Sequence, residues 1–420
     1  MRVLVTTSRS TAAVAAGTAG MIASYLGLLT AAARRRAASH GHHGPIGSGR
    51  RRFAIFVPAH DEHLVIAETI DSLLAQRYPS DLFEVHVVAD NCTDDTADIA
   101  RSHGAVVHER FDQAAPGKGH ALNWLFDRVV ASDPGTAPAP DAIVYVDADT
   151  TVDAGFLEAI DVALDGGARV VQGRYLVRNA AQSATAAIRY AALACRHDLR
   201  ADGRRAIGGS CGLFGNGMAV DVEVMRTRRW SGHLVEDAEF QNELLLDGIL
   251  VEYCSAARVD AEMPDDYAAA TSQNARWERG RLEMARRYVP RLLSAAVRTG
   301  HGVPTRRAAV DAVADHLLPP TSLILAIDAF AVISSAAAVA VSRGRAGRVS
   351  FVVSVAASVL LAAHVVIGLR RVDAPASVYR SLLRAPAAAA WKLRLLAGIA
   401  RADDVAWTRT ARNTSSKDES

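Results

Sequence analysis

Cysteine is scarce in this chain: four in 420 residues (Cys92, Cys195, Cys211 and Cys254), with no C-x-x-C pair among them. That scatter excludes a zinc framework and fits ordinary buried thiols in a reducing compartment. An excess of one charge is also missing. The formal net charge is +2 and no basic stripe is interleaved with aromatics, so nucleic acid is not an expected partner. No G-x-G-x-x-G follows the first strand-like segment, which disfavours a dinucleotide site of the NAD type. Hydrophobic residues, by contrast, make up half the chain and gather at its two ends.

Residues 11–33 carry no charge and are long enough to cross a bilayer as a helix. Arg34, Arg35 and Arg36 follow at once, and Arg50, Arg51 and Arg52 follow a Gly/His/Ser-rich linker, whereas only Arg2 and Arg9 precede the run. The positive-inside rule then leaves the N-terminus outside and everything after Arg34 in the cytoplasm. A cleaved secretory signal is the competing reading, since Ala31 to Ala33 resembles a cleavage site. The length of the run and the heavier charge behind it favour an anchor. His40, His42 and His43 in the linker read as a flexible tether rather than a metal tract. Residues 317–341 and 349–369 are nearly charge-free and predict a helical hairpin that crosses the membrane twice. Arg370 and Arg371 agree with the positive-inside rule, while Arg343, Arg345 and Arg348 in the connecting loop run against it. Segment 381–400, with Trp391, Lys392 and Arg394, reads as an interfacial helix, and 413–420 as disordered. The expected organisation is an anchor and basic linker over 1–52, a cytoplasmic catalytic domain over 53–300, a transmembrane hairpin over 301–371, and an interfacial segment and tail over 372–420. Such a chain is a multi-pass protein of the plasma membrane.

Between the apolar ends, strand and helix patterns alternate. Residues 53–58, 84–89, 105–108 and 142–146 read as strands, with helical patterns between them, which predicts an α/β fold with a parallel sheet covered on both faces. The fourth strand ends in Asp147-Ala148-Asp149. In open α/β sheets ligands sit at the carboxyl ends of strands. Residues i and i+2 of a strand share a face, and two hard oxygen ligands suit Mg²⁺ or Mn²⁺ carrying a diphosphate. D-x-D alone is also common in surface turns. The other strand ends are polar: His60-Asp61-Glu62 after the first, Asp90 to Asp94 after the second. Such residues can hydrogen-bond a base and ribose, and Thr93 or Asp94 can also cap the next helix. Lys118, in a turn that opens a helix, can reach a phosphate.

Farther on, residues 169–177 read as a strand and 181–202 as an alanine-rich helix. Five glycines over 208–217 suggest close backbone approach to a ligand or a bulged strand. Glu236, Asp237 and Glu239 fall in the first turn of a helix striped by Phe240, Leu244 and Leu245, where the dipole favours carboxylates in any case. The functional alternative is a general base facing the sheet edge. Gln273, Arg276 and Trp277 lie at i, i+3 and i+4 on one helical face. An amide, a guanidinium and an indole make a poor core but a good surface for a diphosphate and a sugar ring.

Taken in order, these motifs resemble the family 2 glycosyltransferases, inverting membrane enzymes that include cellulose, chitin and hyaluronan synthases and many single-addition relatives. The likeness covers residues 53–290. Val57-Pro-Ala-His-Asp-Glu62 looks like the opening motif, with Asp61 where Asn is usual. Asp90 to Thr96 matches the nucleotide-base loop, Gly117-Lys118-Gly119 the lysine turn and Asp147-Ala148-Asp149 the metal motif. Glu236-Asp237 matches T-E-D with Val235 in place of Thr, and Gln273 to Trp277 is Q-x-x-R-W in full. The resemblance implies a GT-A-type, Rossmann-like nucleotide-sugar-binding domain with flanking transmembrane helices. It implies a nucleotide-diphospho-sugar donor, most often UDP-linked, and a divalent cation. By the same likeness Glu62, Asp90, Lys118 and Asp147 contact the nucleotide, while Asp147 and Asp149 hold the metal. Asp237 is the general base, Gln273 and Arg276 hold the diphosphate, and Trp277 stacks against the acceptor. Three spans are few for an export channel in one chain, which favours a lipid or glycan acceptor over processive polysaccharide synthesis and leaves export or assembly partners open. A non-catalytic sugar-nucleotide-binding scaffold is the alternative of another class, and the presence of every acidic motif residue speaks against it.

Overall fold

The computed structural model describes residues 2–39, 50–130, 138–233, 235–264, 267–297, 303–342 and 344–399. The linker histidines, Arg343 and the tail read as disordered lie outside these residues. Helix α1 (Arg2–Ser39) precedes β1 (Phe53–Ala59). The chain then alternates through α2 (Ile66–Leu74), β2 (Phe83–Asp90), α3 (Thr96–Ser102), β3 (Val106–Arg110) and α4 (Lys118–Val129). Next come β4 (Ala142–Tyr145), β5 (Thr150–Val152), α5 (Phe156–Asp165) and β6 (Val170–Val177). Helix α6 (Ala184–Leu193) continues through a π-helical segment, Ala194–Arg200, into α7 (Ala201–Ala206). The strand β7 (Met218–Asp221) leads to α8 (Val222–Thr227), α9 (Glu236–Leu246) and β8 (Val251–Ala261). Helices α10 (Tyr267–Val297), α11 (Val303–Leu317), α12 (Thr321–Ser342), α13 (Arg345–Arg371), α14 (Ala376–Ser381) and α15 (Ala385–Ile399) follow.

One eight-stranded sheet runs in the order β3-β2-β1-β4-β7-β6-β8-β5. The first four strands are parallel, as the alternation predicts. Beyond β4 the sheet is mixed, which corrects the expectation of a parallel sheet: β7 runs antiparallel to both β4 and β6, and β5 antiparallel to β8. Strand β1 shows why helices cover both faces. Its Ile55 and Val57 join a core with Ile66 and Ile70 of α2 and Phe156 of α5. Its Phe56 joins a second core with Leu122 and Phe126 of α4 and Met218 of β7. A strand apolar on both sides must be buried on both sides. Pro58 lies past the last β1–β4 pair, Phe56↔Tyr145, so its missing N–H breaks no ladder bond there. The strands part at this point, and the site begins.

Among the described residues, three helices are long and apolar enough to cross a membrane: Ser10–Ala37, Thr321–Val341 and Arg345–Arg371. They pack through Ala15, Ala19, Ala23 and Leu26 against Ile324, Ala331, Ala357 and Leu361, where small side chains let the backbones approach. Arg345 and Arg348 belong to the first turn of α13 rather than to a loop. Helix α11, within the segment expected to be hairpin, instead packs Ala308, Ala309 and Ala312 against Tyr288 and Leu292 of α10 and Leu245 of α9.

The bundle meets the sheet domain at close quarters. A Cβ on Gly203 of α7 would lie 2.4 Å from the Leu29 carbonyl oxygen of α1, so the two backbones touch. Asp198, fully buried in the π-helical segment, accepts from Arg371 Nε at 2.8 Å and from Tyr253 Oη at 2.7 Å, and lies 3.0 Å from Arg174 Nε. One carboxylate thus locks the end of α13 to β6 and β8.

Candidate functional site

Where β1 and β2 end, Asp61 and Asn91 turn the chain with φ of 54° and 53°. Short polar side chains tolerate this left-handed conformation best, which Asp at 61 satisfies as Asn would. Asp61 Oδ1 accepts from Thr93 N at 2.7 Å, and Asn91 Oδ1 accepts from Asp112 N at 2.9 Å, so neighbouring loops are stitched together. Arg110, itself buried, donates to Asp90 Oδ1 at 2.5 Å. Asp61, Cys92 and Asp94 also bring ligand-type atoms within 4.8 Å of one another. Their carboxylates are engaged by Thr93 and Thr96, and burial pushes the Cys92 thiol up to about 11, so this group is a poor match to a hard cation.

Strand β4 stops at Tyr145, and Asp147-Ala148-Asp149 form the turn into β5, closed by Thr150 N on the Asp147 carbonyl at 3.2 Å. The two carboxylates therefore converge through a turn rather than through strand alternation. Fully buried Asn216 pins this turn at both ends: its Oδ1 accepts from Asp147 N at 3.1 Å and its Nδ2 donates to Thr150 Oγ1 at 2.8 Å. Lys118 Nζ donates to Asp147 Oδ1 at 2.5 Å and to the Gly215 carbonyl at 2.6 Å. Burial alone would lower the lysine's pKa, but Asp147 and Glu236 outweigh it and raise it. Gly215 has φ +73°, and a Cβ there would lie 3.3 Å from Asp237 Oδ2. The glycine-rich stretch thus does approach the site with its backbone. As donors, Asp147 and Asp149 are hard, half-buried oxygens on the cavity wall, a set that fits Mg²⁺ or Mn²⁺.

Asp237 lies in the first turn of α9, its Oδ1 accepting from Ala238 N at 2.7 Å. Burial raises the proton affinity of both Glu236 and Asp237, with Lys118 pulling the other way. Helix α10 is pressed against this helix start. A Cβ on Gly280 would lie 2.3 Å from Val235 Cγ1, so only glycine fits. Two turns and one turn earlier on α10, Gln273 Oε1 and Arg276 Nε are buried with no protein partner among the described residues. The Arg189 guanidinium lies over the Trp277 ring, 4.9 Å from its centre.

Glu62, Asp90, Lys118, Asp147, Asp149, Asp237, Gln273, Arg276 and Trp277 all line one cavity of about 930 Å³. These are the nine residues to which the resemblance gives a role, whereas Asp61, Thr93, Asp94 and Glu239, also singled out from sequence, do not line it. Sequence reasoning missed Arg110, Asn216, Arg189 and Arg196. The first two act through contacts distant in sequence. The last two carried a faint signal in their spacing of seven on one helix.

A model described as glycosyltransferase-like family 2 matches residues 50–280. The chain is 26% identical over 243 residues to a probable glycosyltransferase, YdaM, of Bacillus subtilis (strain 168), covering 54% of this chain and 55% of that protein. It is 34% identical over 104 residues to the 4,4'-diaponeurosporenoate glycosyltransferase of Staphylococcus aureus, 24% of each chain. The chain thus spans about half the length of the first relative and less of the second. The mannosyltransferase PcManGT from Pyrobaculum calidifontis, solved with GDP-Man and Mn²⁺, shares the fold: TM-score 0.50 at 18% identity, over 84% of this chain and 99% of that one. The sheet and its helices are of the GT-A type. With more than half its length matched, the chain belongs to the glycosyltransferase-like family 2.

Proposed function

We propose that the protein is a membrane-bound, inverting glycosyltransferase that moves a sugar from a nucleotide-diphospho-sugar, UDP-linked by the family's habit, to a lipid or glycan acceptor. One observation carries this reading. Nine motif residues share a single cavity in which Gln273 Oε1 and Arg276 Nε are buried and unmatched. Buried polar atoms without partners are rare in folded proteins and are explained by a ligand that supplies them. Glu62 and Asp90 read the nucleoside, with Asp90 held in place by Arg110. Lys118 and Arg276 flank the diphosphate, and Gln273 bonds to it. Asp147 and Asp149 hold Mg²⁺ or Mn²⁺, which when bound offsets the negative charge that grows on the leaving diphosphate.

Asp237 takes the proton of the acceptor hydroxyl as that oxygen bonds to the anomeric carbon. The bond to the diphosphate breaks on the opposite face, which inverts the centre. Burial raises the carboxylate's proton affinity and so improves it as a base near neutral pH. Trp277 offers its face to the acceptor sugar or headgroup. The catalytic unit of residues 53–300, extended by α11, faces the cytoplasm, and the three apolar helices hold it at the plasma membrane. Three spans favour single transfer over a polymerising synthase.

The test is nucleoside diphosphate release by the full chain in nanodiscs, with UDP-, GDP- and dTDP-sugars and either cation, beside Asp149→Ala. Release from one donor that needs the cation and disappears in the variant is the expected result. Absence of release with lipid and glycan extracts added, together with no nucleoside diphosphate binding, would replace this reading by a scaffold.

A further inference from the structure

The cavity extends past Trp277. Its wall there is built from α6, the π-helical segment, α12, α13 and α15. Arg189 and Arg196 stand on the first two of these, and neither makes a hydrogen bond or ion pair with any described residue. Arg189 has only the Trp277 ring. Arg196 is exposed, and its side chain opens into the cavity. Among the other cations on the wall, Lys118 pairs with Asp147, Arg200 with Asp315 and Arg204 with Asp311. Arg281 and Lys392 pair with Glu278.

Burial lowers the pKa of both free guanidinium groups, Arg189 to about 10, so both remain charged at neutral pH. A guanidinium in a cavity with no carboxylate paired to it keeps its donors open to a ligand, and the planar fork of arginine matches phosphate oxygens. The donor diphosphate already has Lys118, Arg276 and the cation site on the strand ends. A second anion is therefore what these two side chains fit. Arg196 and Asp237 line the same cavity, and the Arg196 charge lowers that carboxyl's pKa. The wall also has an apolar part: Leu325 of α12, Val365 of α13, and Ala388 and Trp391 of α15. Two of those helices are long and apolar enough to cross a membrane. The two arginines, Asp237 and the apolar residues all line a single cavity.

We propose that the acceptor is an anionic membrane lipid whose headgroup carries both a phosphodiester and a free hydroxyl. Arg189 and Arg196 hold its phosphate, its acyl chains leave along the rim of α12, α13 and α15, and its hydroxyl reaches Asp237. This rests on the glycosyltransferase reading above. In the transfer the hydroxyl oxygen bonds to the anomeric carbon and its proton goes to Asp237. The carbon–oxygen bond to the diphosphate breaks, its electron pair leaves with the nucleoside diphosphate, and the lipid's phosphodiester is unchanged.

The test is native mass spectrometry of the full chain released from neutral detergent. The probes are dioleoylphosphatidylglycerol, dioleoylglycerol and glycerol 3-phosphate, with UDP and GDP in Mn²⁺ measured on the same samples. Phosphatidylglycerol should bind at least about tenfold more tightly than either of the other two, since only it offers charge and chains together. Arg189→Gln with Arg196→Gln should weaken that lipid about tenfold and leave nucleoside diphosphate affinity within about twofold, while the double lysine variant keeps most of the lipid affinity. Equal binding of dioleoylglycerol, or undiminished lipid binding by the glutamine variant, overturns the inference. Loss of nucleoside diphosphate affinity in that variant also overturns it, by assigning the arginines to the donor. Failure of the wild type to bind any nucleoside diphosphate is separate, and removes the glycosyltransferase reading itself.

Discussion

At the strand ends, charge meets charge: Lys118 lies on Asp147 and Arg110 on Asp90. On α6, the π-helical segment and α10, Arg189 and Arg196 form no ion pair with a described residue, and Gln273 and Arg276 keep buried atoms unmatched. The strand-end wall has its geometry before any ligand arrives, so its groups need little rearrangement to act. The helical wall has its geometry but not its partners. Each buried unmatched polar group there costs about 1–3 kcal/mol. An anionic ligand relieves that cost, which makes the helical wall the place where binding energy is gained. Substitutions on the two walls should accordingly fail in different ways.

The largest effect is expected between the walls. Asp237→Asn should slow transfer by roughly 10²–10⁴-fold, the usual worth of a positioned base, with nucleoside diphosphate affinity within about twofold of wild type. Product formation and calorimetry on the same preparation check this, and near-normal turnover would remove Asp237 from the role. Next, Arg110→Ala leaves Asp90 buried without its partner, so thermal or denaturant unfolding should show a loss of about 3–5 kcal/mol. Arg276→Ala gives the contrasting result: an unchanged melting temperature, but nucleoside diphosphate affinity about tenfold to a hundredfold weaker, equivalent to about 1.5–3 kcal/mol. If Arg276→Ala destabilised the fold as much as Arg110→Ala, the distinction between the walls would fail.

Gly280→Ala forces a methyl against Val235 and should cost about 1–3 kcal/mol, with Val235→Ala in the same chain recovering most of it. The smallest effect concerns pH. Asp237 must be ionised to accept a proton, and burial raises its pKa, so transfer should fall as pH drops through a value above the ordinary aspartate range of about 4. Arg196 lowers that pKa, so Arg196→Gln should move the acid limb of kcat/KM to higher pH, by about one unit or less. A limb that moved to lower pH would show that Arg196 does not face the base.

Much of the strand-end wall was legible in sequence, because β-branched runs that stop at acids mark both the strand and the site. The runs ending at Ala59, Asp90 and Tyr145 lie in neighbouring parallel strands and bring Glu62, Asp90 and Asp147 to one edge. Gln273, Arg276 and Trp277 were legible for another reason, as polar and aromatic residues sharing a helical face that a core would reject. The second half of the sheet was not. Strand β8 alternates only at its ends, Ser255 and Ala256 interrupt it, and its pairing with β6 shifts register between Gly173 and Arg174. Asn216 and Arg110 are single polar residues whose partners lie dozens of positions away or on another strand, and no local pattern reports them. The alanine-rich segment after Ser183 read as one helix, and its π-helical turn depends on Asp198 finding Arg371 and Tyr253 from elsewhere in the chain.

That buried aspartate has a practical consequence for anyone who trims the chain. A fragment of residues 53–300 made for solubility would discard Arg371 and leave Asp198 with Arg174 and Tyr253 alone. It would also bare the face of α7 that Leu29 covers. Such a fragment should express as inclusion bodies or as a weakly structured species. The full chain is the material from which a catalytically useful sample should be sought.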